Sequence, residues 1–85
     1  MNWKIEYNKE AVRNLEKIPT SDKNKIFKGI EKLKENADLG KQLVGPLKGL
    51  RSMSIGNYKV IYKKELNIIT IIILAIGHRK NIYKI

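Results

Sequence analysis

The stretch from Asn67 to Ile76 constrains the fold more than any other part of the chain. Apart from its first residue and Ala75, it contains only isoleucine, leucine and threonine. Side chains of this kind favour extended structure, and a run without polar alternation is typical of a central strand covered on both faces. The run is also too short to span a bilayer. We therefore expect a β-sheet with this strand near its centre, and no membrane partner.

Shorter strands are predicted earlier in the chain. Residues 2–7 alternate between polar and apolar side chains, which is the period of a half-buried strand. Residues 51–55 and 58–63 alternate in the same way on either side of Gly56-Asn57. A two-residue connection that contains glycine is typical of a β-hairpin. The sequence therefore predicts one strand at the start and a hairpin that leads into the central strand.

Two helices are predicted between the first strand and the hairpin. Asn8 can cap a helix over Lys9 to Ile18, and Pro19 ends that helix. Thr20, Ser21 or Asp22 can cap a second helix, which continues to about Asn36. The predicted apolar stripes are Val12 and Leu15, joined by Ala11 and Ile18, in the first helix, and Ile26, Phe27, Ile30 and Leu33 in the second.

Together these elements predict an α+β fold. It consists of an N-terminal strand, an antiparallel helical hairpin and a three-stranded antiparallel meander, with the helices packed on one face of the sheet. Residues 38–49, which include three glycines, are expected to form a loop before the meander. A chain of 85 residues has room for one core, so residues 1–85 are expected to form a single domain.

The positive charge is concentrated in the second half of the chain. Residues 1–38 contain nine Lys/Arg and seven Asp/Glu, a net charge of 9 − 7 = +2. Residues 39–85 contain nine Lys/Arg and only Glu65 as an acid, a net charge of 9 − 1 = +8. A field of one sign attracts polyanions, and neutralisation of nucleic-acid phosphates is its commonest use. A merely solubilising surface explains the interleaved charges of the first half better than those of the second.

The composition excludes several kinds of site. Cysteine is absent and His78 is the only histidine, so we expect neither a metal site nor a bound cofactor. The glycine spacing fits neither a P-loop nor a dinucleotide-binding loop. The first residues lack the basic and then apolar pattern of a secretory signal, so we expect a cytoplasmic protein.

The second half instead offers cations, hydroxyls and one imidazole. RNA can be cut without a metal when its own 2′-hydroxyl attacks the adjacent phosphate, provided that cations stabilise the charge and positioned groups move the protons. His78 and Arg79, at the end of the central strand, are suited to this chemistry. The sequence also allows His78 to be an ordinary loop residue, Arg79 and Lys80 to be solvated surface, and Tyr83 to pack on the sheet.

Three segments resemble the RelE/ParE superfamily of toxins. They are Pro46-Leu47-Lys48-Gly49-Leu50-Arg51-Ser52-Met53, Gly56-Asn57-Tyr58-Lys59-Val60-Ile61-Tyr62 and His78-Arg79-Lys80-Asn81-Ile82-Tyr83. They are similar to the family's leucine-basic-glycine loop, to its tyrosine-basic strand and to its His-Arg ending with a final tyrosine. The segments occur in the family's order and spacing, and the resemblance covers essentially the whole chain.

Resemblance to the RelE branch implies a toxin that enters the ribosomal A site and cleaves mRNA there. Lys59 looks like the residue that holds the scissile phosphate, and Arg79 like the arginine that stabilises its charge. Tyr83 looks like the tyrosine that stacks on a base or orients the 2′-hydroxyl. His78 lies where some branches use a histidine for acid–base work. The implied partners are the ribosome, mRNA and a RelB-like antitoxin with an acidic or amphipathic segment, which binds the toxin in a heteromeric complex.

Further residues are expected to bind RNA, and other functions remain open. The expected RNA-binding residues are Lys48, Arg51, Ser52, Ser54, Lys63, Lys64 and Lys80. Ser52 and Ser54 occupy positions where ribosome-dependent members carry cations. One alternative is a ParE-like inhibitor of DNA gyrase that cuts no RNA, and another is a weakly active member that binds antitoxin. The His-Arg ending favours the RelE branch.

Overall fold

The computed structural model describes residues 2–82. Its strands are β1 (Lys4–Tyr7), β2 (Lys41–Gln42), β3 (Arg51–Ile55), β4 (Tyr58–Glu65) and β5 (Thr70–His78), and its helices are α1 (Lys9–Glu16) and α2 (Thr20–Glu31). Short 3-10 turns lie at Lys32–Lys34, Gly45–Leu47 and Leu66–Ile68. Within this range, no helix combines the length and the apolar character needed to cross a membrane.

The strands form one sheet in the order β1-β5-β4-β3-β2. β1 runs parallel to β5, and every other neighbouring pair is antiparallel. The predicted position of the apolar strand is confirmed, because β5 lies between β1 and β4. The predicted meander is confirmed as β3-β4-β5, but the expected loop at 38–49 also contains β2, which pairs with the start of β3. A strand of two residues shows no periodicity, so the sequence pattern did not reveal it.

Both helices pack on one face of the sheet, as predicted. The core on this face contains side chains from α1, α2, β4 and β5: Ala11, Leu15, Ile26, Ile30, Val60, Tyr62, Ile71 and Ile73. Two predicted members of the apolar stripes lie elsewhere. Val12 is 44% exposed and Phe27 is 39% exposed, because the neighbouring stripe members Ala11 and Ile26 are the ones that face the sheet.

The two helices begin differently. Asn8 caps α1 as predicted, and its side-chain oxygen accepts a hydrogen bond from the backbone N–H of Ala11 at 2.9 Å. The predicted cap of α2 is wrong, since Pro19 occupies the cap position and makes no side-chain hydrogen bond. Proline suits this position because its fixed φ leads into a helix without requiring a donor. α2 also ends earlier than predicted, at Glu31, and continues as the first 3-10 turn.

A helix side chain extends the sheet where β1 stops. β1 pairs with β5 only as far as Ile73, and the next backbone amide, that of Asn8, donates to the Ile73 carbonyl at 3.0 Å. Farther along β5, the backbone N–H of Ile76 donates to the side-chain oxygen of Asn14 at 2.8 Å. This bond supplies a partner for a largely buried amide that β1 does not reach.

The face of the sheet opposite the helices, called the open face below, has a smaller apolar cluster. Ile61, Ala75 and Ile82 are buried there, with Leu43 and Leu50 packed beside them. β5 is therefore covered by the helices on one face and by this small cluster on the other, which confirms only in part the expected burial of both faces.

Candidate functional site

Lys59 lies on the open face in a row that crosses three strands. It pairs with Ser54 on β3 and with Gly77 on β5, and directly paired residues of a sheet point to the same face. Ser54 is exposed, whereas Ser52, one row along, is buried opposite Ile61. Of the two serines at the expected cation positions, only Ser54 can present its hydroxyl to a large ligand.

After β5 the chain turns back over the open face. The backbone N–H of Arg79 donates to the Asn57 carbonyl at 2.9 Å, and that of Asn81 donates to the His78 carbonyl at 2.8 Å. Ile82 then packs on Gly77, where an added Cβ would lie 3.1 Å from the Ile82 Cδ1 atom. The hydrogen bond to Asn57 therefore holds the backbone of Arg79 two residues beyond Gly77, next to the β3–β4 turn, and the Arg79 side chain is exposed.

Lys80 and Tyr83 are the other predicted site residues of this C-terminal segment. Lys80 is exposed in the same turn as Arg79. Tyr83 follows Ile82 directly in sequence but lies outside the described residues. The role expected for Tyr83 therefore stays a prediction.

His78 lies on the side of the sheet that carries the helices. It pairs with Tyr58, and the two rings are 6.1 Å apart between centroids in an edge-to-face arrangement. The Tyr58 hydroxyl donates a hydrogen bond to the Asp22 carboxylate at 3.1 Å. Burial, together with this hydrogen bond and the charge of Asp22, raises the pKa of Tyr58. The structure therefore groups His78 with Tyr58 and Asp22, and it does not bring His78 to the face that carries Lys59.

Arg51 and Lys64 belong to a polar network around Asp38. Arg51 Nη2 lies 3.2 Å from Asp38 Oδ1, and Lys64 Nζ lies 2.5 Å from the same oxygen. Arg51 also donates to the Gly40 carbonyl at 2.6 Å. The hydrogen bond from Lys64, helped by the charges of both cations, lowers the pKa of the Asp38 carboxyl group. Arg51 points away from the face that carries Ser52, and it anchors the segment that leads into β2.

Lys48 and Lys63 occupy two further places around the sheet. Lys48 lines a cleft of about 620 Å³, together with Arg51 and Lys64. Lys63 forms an ion pair with Glu65 at 2.9 Å, two residues along β4. The seven residues expected to bind RNA therefore divide among the open face, the cleft and the turn after β5.

Asp22 and Asp38 are the polar residues that sequence reasoning missed. Each contacts partners that are distant in the chain: Asp22 contacts β4, and Asp38 contacts β3 and β4. No local pattern marks such pairs, because only the fold brings them together. Residues 2–82 contain no group of three or more histidine, cysteine or acidic side chains that could hold a metal ion.

Residues 5–83 match the family described as ParE toxin of type II toxin–antitoxin system, parDE. The chain therefore belongs to the ParE toxin family. This family lies in the RelE/ParE superfamily, so the superfamily predicted from the sequence motifs is confirmed. The protein is a toxin of a toxin–antitoxin system of the RelE/ParE type. No curated protein sequence is significantly similar to this ParE-family chain.

Solved structures of related toxins share the fold of this ParE-family chain. The RelBE2 toxin–antitoxin complex from Mycobacterium tuberculosis includes a chain with 25% identity and a TM-score of 0.86, and the match covers 93% of this chain and 100% of that one. The archaeal RelE–RelB complex from Pyrococcus horikoshii OT3 matches at 21% identity and a TM-score of 0.74, and the match covers 93% of this chain and 97% of that one. A chromosomal ParDE system from P. aeruginosa matches at 14% identity and a TM-score of 0.69, and the match covers 89% of this chain and 95% of that one.

Proposed function

We propose that this toxin is a ribosome-dependent endoribonuclease that cleaves mRNA in the ribosomal A site by attack of the RNA 2′-hydroxyl on the neighbouring phosphate. The observation that carries the proposal is the position of two cations. Lys59 lies on the open face in the row with Gly77, and Arg79 follows two residues after Gly77, with its backbone N–H bound to the Asn57 carbonyl two residues before Lys59. A phosphate bound there would meet a point charge from one side chain and a bidentate donor from the other.

The open-face row is well suited to hold an anion. In residues 39–85 the only acid is Glu65, which is paired with Lys63. Glu65 lies six residues from Lys59 along β4, a separation of about 20 Å in an extended strand. At that distance its charge is largely screened at physiological ionic strength. Glu65 therefore contributes little negative potential at Lys59, which favours binding of a phosphate there.

The two cations act mainly by electrostatic stabilisation. Fixed donors aimed at the developing charge contribute more in a confined site than they do in water. The ribosome would supply the confinement and would hold the 2′-hydroxyl in line with the phosphate, so free RNA should be cut poorly. His78 has a smaller role in this proposal than its sequence position indicated. A proton transfer through His78 would require the substrate to pass around the end of β5.

An antitoxin is the second proposed partner. The similar structures include RelB–RelE complexes, and this chain carries a net charge of +10. Val12 and Phe27 are partly exposed on the helices and could pack against an amphipathic segment, while acidic residues would neutralise the basic surface. We expect the antitoxin to form a heteromeric complex that blocks the open face.

Inhibition of DNA gyrase is a second candidate function, favoured by the match to the ParE family. Expression of the toxin without antitoxin separates the two candidates. The proposal expects translation to stop, with new 5′ ends inside ribosome-bound mRNA. Double-strand DNA breaks with intact mRNA would instead support gyrase inhibition. For variants that remove the charge of Lys59 or Arg79, Lys9→Ala is a suitable control, because Lys9 is exposed on α1 and lies away from the open face.

A further inference from the structure

The cleft that contains Lys48 has the chemistry of a nucleotide subsite. It lies between the 42–51 segment and the end of β4 and has a volume of about 620 Å³. Its lining includes three apolar and three cationic side chains: Leu43, Val44 and Leu50, and Lys48, Arg51 and Lys64. Among residues 2–82, no acid lines the cleft. Apolar walls with a few convergent charges are typical of sites that bind a base and its phosphate.

Two of the three cations share a carboxylate that lies outside the lining of the cleft. Asp38 Oδ1 is 2.5 Å from Lys64 Nζ and 3.2 Å from Arg51 Nη2. The Asp38 side chain is 59% exposed, so its carboxylate is solvated on one side and bound to the two cations on the other. An anion in the cleft would therefore compete with Asp38 for the same donors, while Lys48 is not shared with Asp38.

We propose that this cleft is a second subsite for single-stranded RNA. A phosphodiester contacts the three cations, and a base packs on the apolar side chains. Asp38 is a built-in competitor that weakens binding of the phosphate. The choice of RNA as the ligand rests on the proposed function. The cleft would bind a part of the RNA that is not cleaved.

The cleft and the open-face row bind different phosphates. Lys59 and Lys64 are five residues apart on β4, which corresponds to about 17 Å in an extended strand. Their side chains also point to opposite faces, because successive residues of a strand alternate. One phosphate cannot contact both lysines, so an RNA strand that occupies both sites must cross the end or the edge of the sheet.

Binding of a dinucleotide tests the proposal without ribosomes. The full-length protein is titrated with uridylyl-uridine, which contains one phosphodiester, and in a second arm with inorganic phosphate. Backbone amide NMR signals are followed in both arms. We expect the dinucleotide to shift signals of residues 42–51 and of Lys64, with tighter binding than inorganic phosphate. Equal affinity for the two probes, or shifts confined to other residues, would overturn the proposal.

Two acidic positions provide a matched pair of variants. Asp38→Asn and Glu35→Gln each raise the net charge by one, but only Asp38 contacts Arg51 and Lys64. We expect Asp38→Asn to bind the dinucleotide about fivefold more tightly than the wild type. An effect of this size is typical of the interaction free energy between groups in one polar network. Glu35→Gln should change the affinity far less. The same affinity in both variants would show that Asp38 does not compete with the ligand.

A second pair of variants does not depend on the Asp38 network. Val44 is 83% exposed in the cleft wall, and Leu66 is 69% exposed in the turn before β5, so an acid at either position should be compatible with folding. Val44→Asp should abolish dinucleotide binding, whereas Leu66→Asp should preserve it. Unchanged binding in Val44→Asp would overturn the proposal. Cleavage of mRNA on ribosomes is measured separately. Dinucleotide binding without cleavage would refute the proposed function alone, and cleavage without dinucleotide binding would refute this subsite alone.

Discussion

Removal of the Tyr62 hydroxyl should destabilise the protein strongly. This hydroxyl is buried, accepts a hydrogen bond from the Gly40 backbone N–H and donates one to the Ala37 carbonyl, both at 2.8 Å. Tyr62→Phe leaves both backbone groups without this partner. A buried group left unpaired costs about 1–3 kcal/mol, so we expect a loss of about 2–4 kcal/mol in the free energy of unfolding. For a domain of this size, that corresponds to a decrease in Tm of at least about 8 °C.

Urea unfolding followed by circular dichroism measures this loss, and Tyr58→Phe is the matched control on the same strand. The Tyr58 hydroxyl donates its hydrogen bond to the partly solvated carboxylate of Asp22, so Tyr58→Phe should lower the free energy of unfolding by about 1 kcal/mol or less. The m-value should stay constant in both variants, because the folded and unfolded states keep their compactness. A stability of Tyr62→Phe equal to that of Tyr58→Phe would refute the reasoning that this hydroxyl anchors the segment before β2.

Three further changes test other parts of the fold. Ile69 has a φ of 47°, where a β-branched residue is strained, so Ile69→Asn should raise the free energy of unfolding by about 0.5–1 kcal/mol, while Ile68→Asn should not. Burial raises the pKa of Tyr7 from 10.0 to about 12, so its contribution to stability is complete below pH 10 and is lost as the pH rises to 12. Tyr7→Phe should therefore flatten the decrease in Tm over that alkaline range. Asn14→Ala leaves the Ile76 amide unpaired and should lower stability by about 1–3 kcal/mol, with faster hydrogen exchange at that amide.

The parts of the fold with clear periodicity were predicted from the sequence. The apolar run became β5, and the alternating residues around Gly56-Asn57 became the β3–β4 hairpin. Gly56 has a φ of 59°, which suits the first position of a two-residue turn. Asn8 capped α1 because the cap depends on residues only three positions apart. These features are local, so the neighbouring sequence is sufficient to specify them.

The parts that were missed depend on contacts between distant segments. β2 exists because the backbone of Lys41 and Gln42 meets β3, and no side-chain pattern marks such a short pairing. Val12 has helical spacing but faces solvent, because the orientation of α1 is set by the sheet beneath it. The side of the sheet on which His78 lies also depends on its register with Tyr58. A change of one residue in that register would have placed His78 on the open face.

Single-turnover cleavage of mRNA on programmed ribosomes tests the central claim most directly. The claim is that Lys59 and Arg79 stabilise the charge of the scissile phosphate at the open face. Lys59→Ala and Arg79→Ala should each lower the cleavage rate by about 10²–10³, the effect of losing one preorganised donor, while Lys9→Ala cleaves as the wild type does. His78→Ala should be less damaging than either. Full activity in folded Arg79→Ala, or a His78→Ala defect larger than that of Lys59→Ala, would contradict the account.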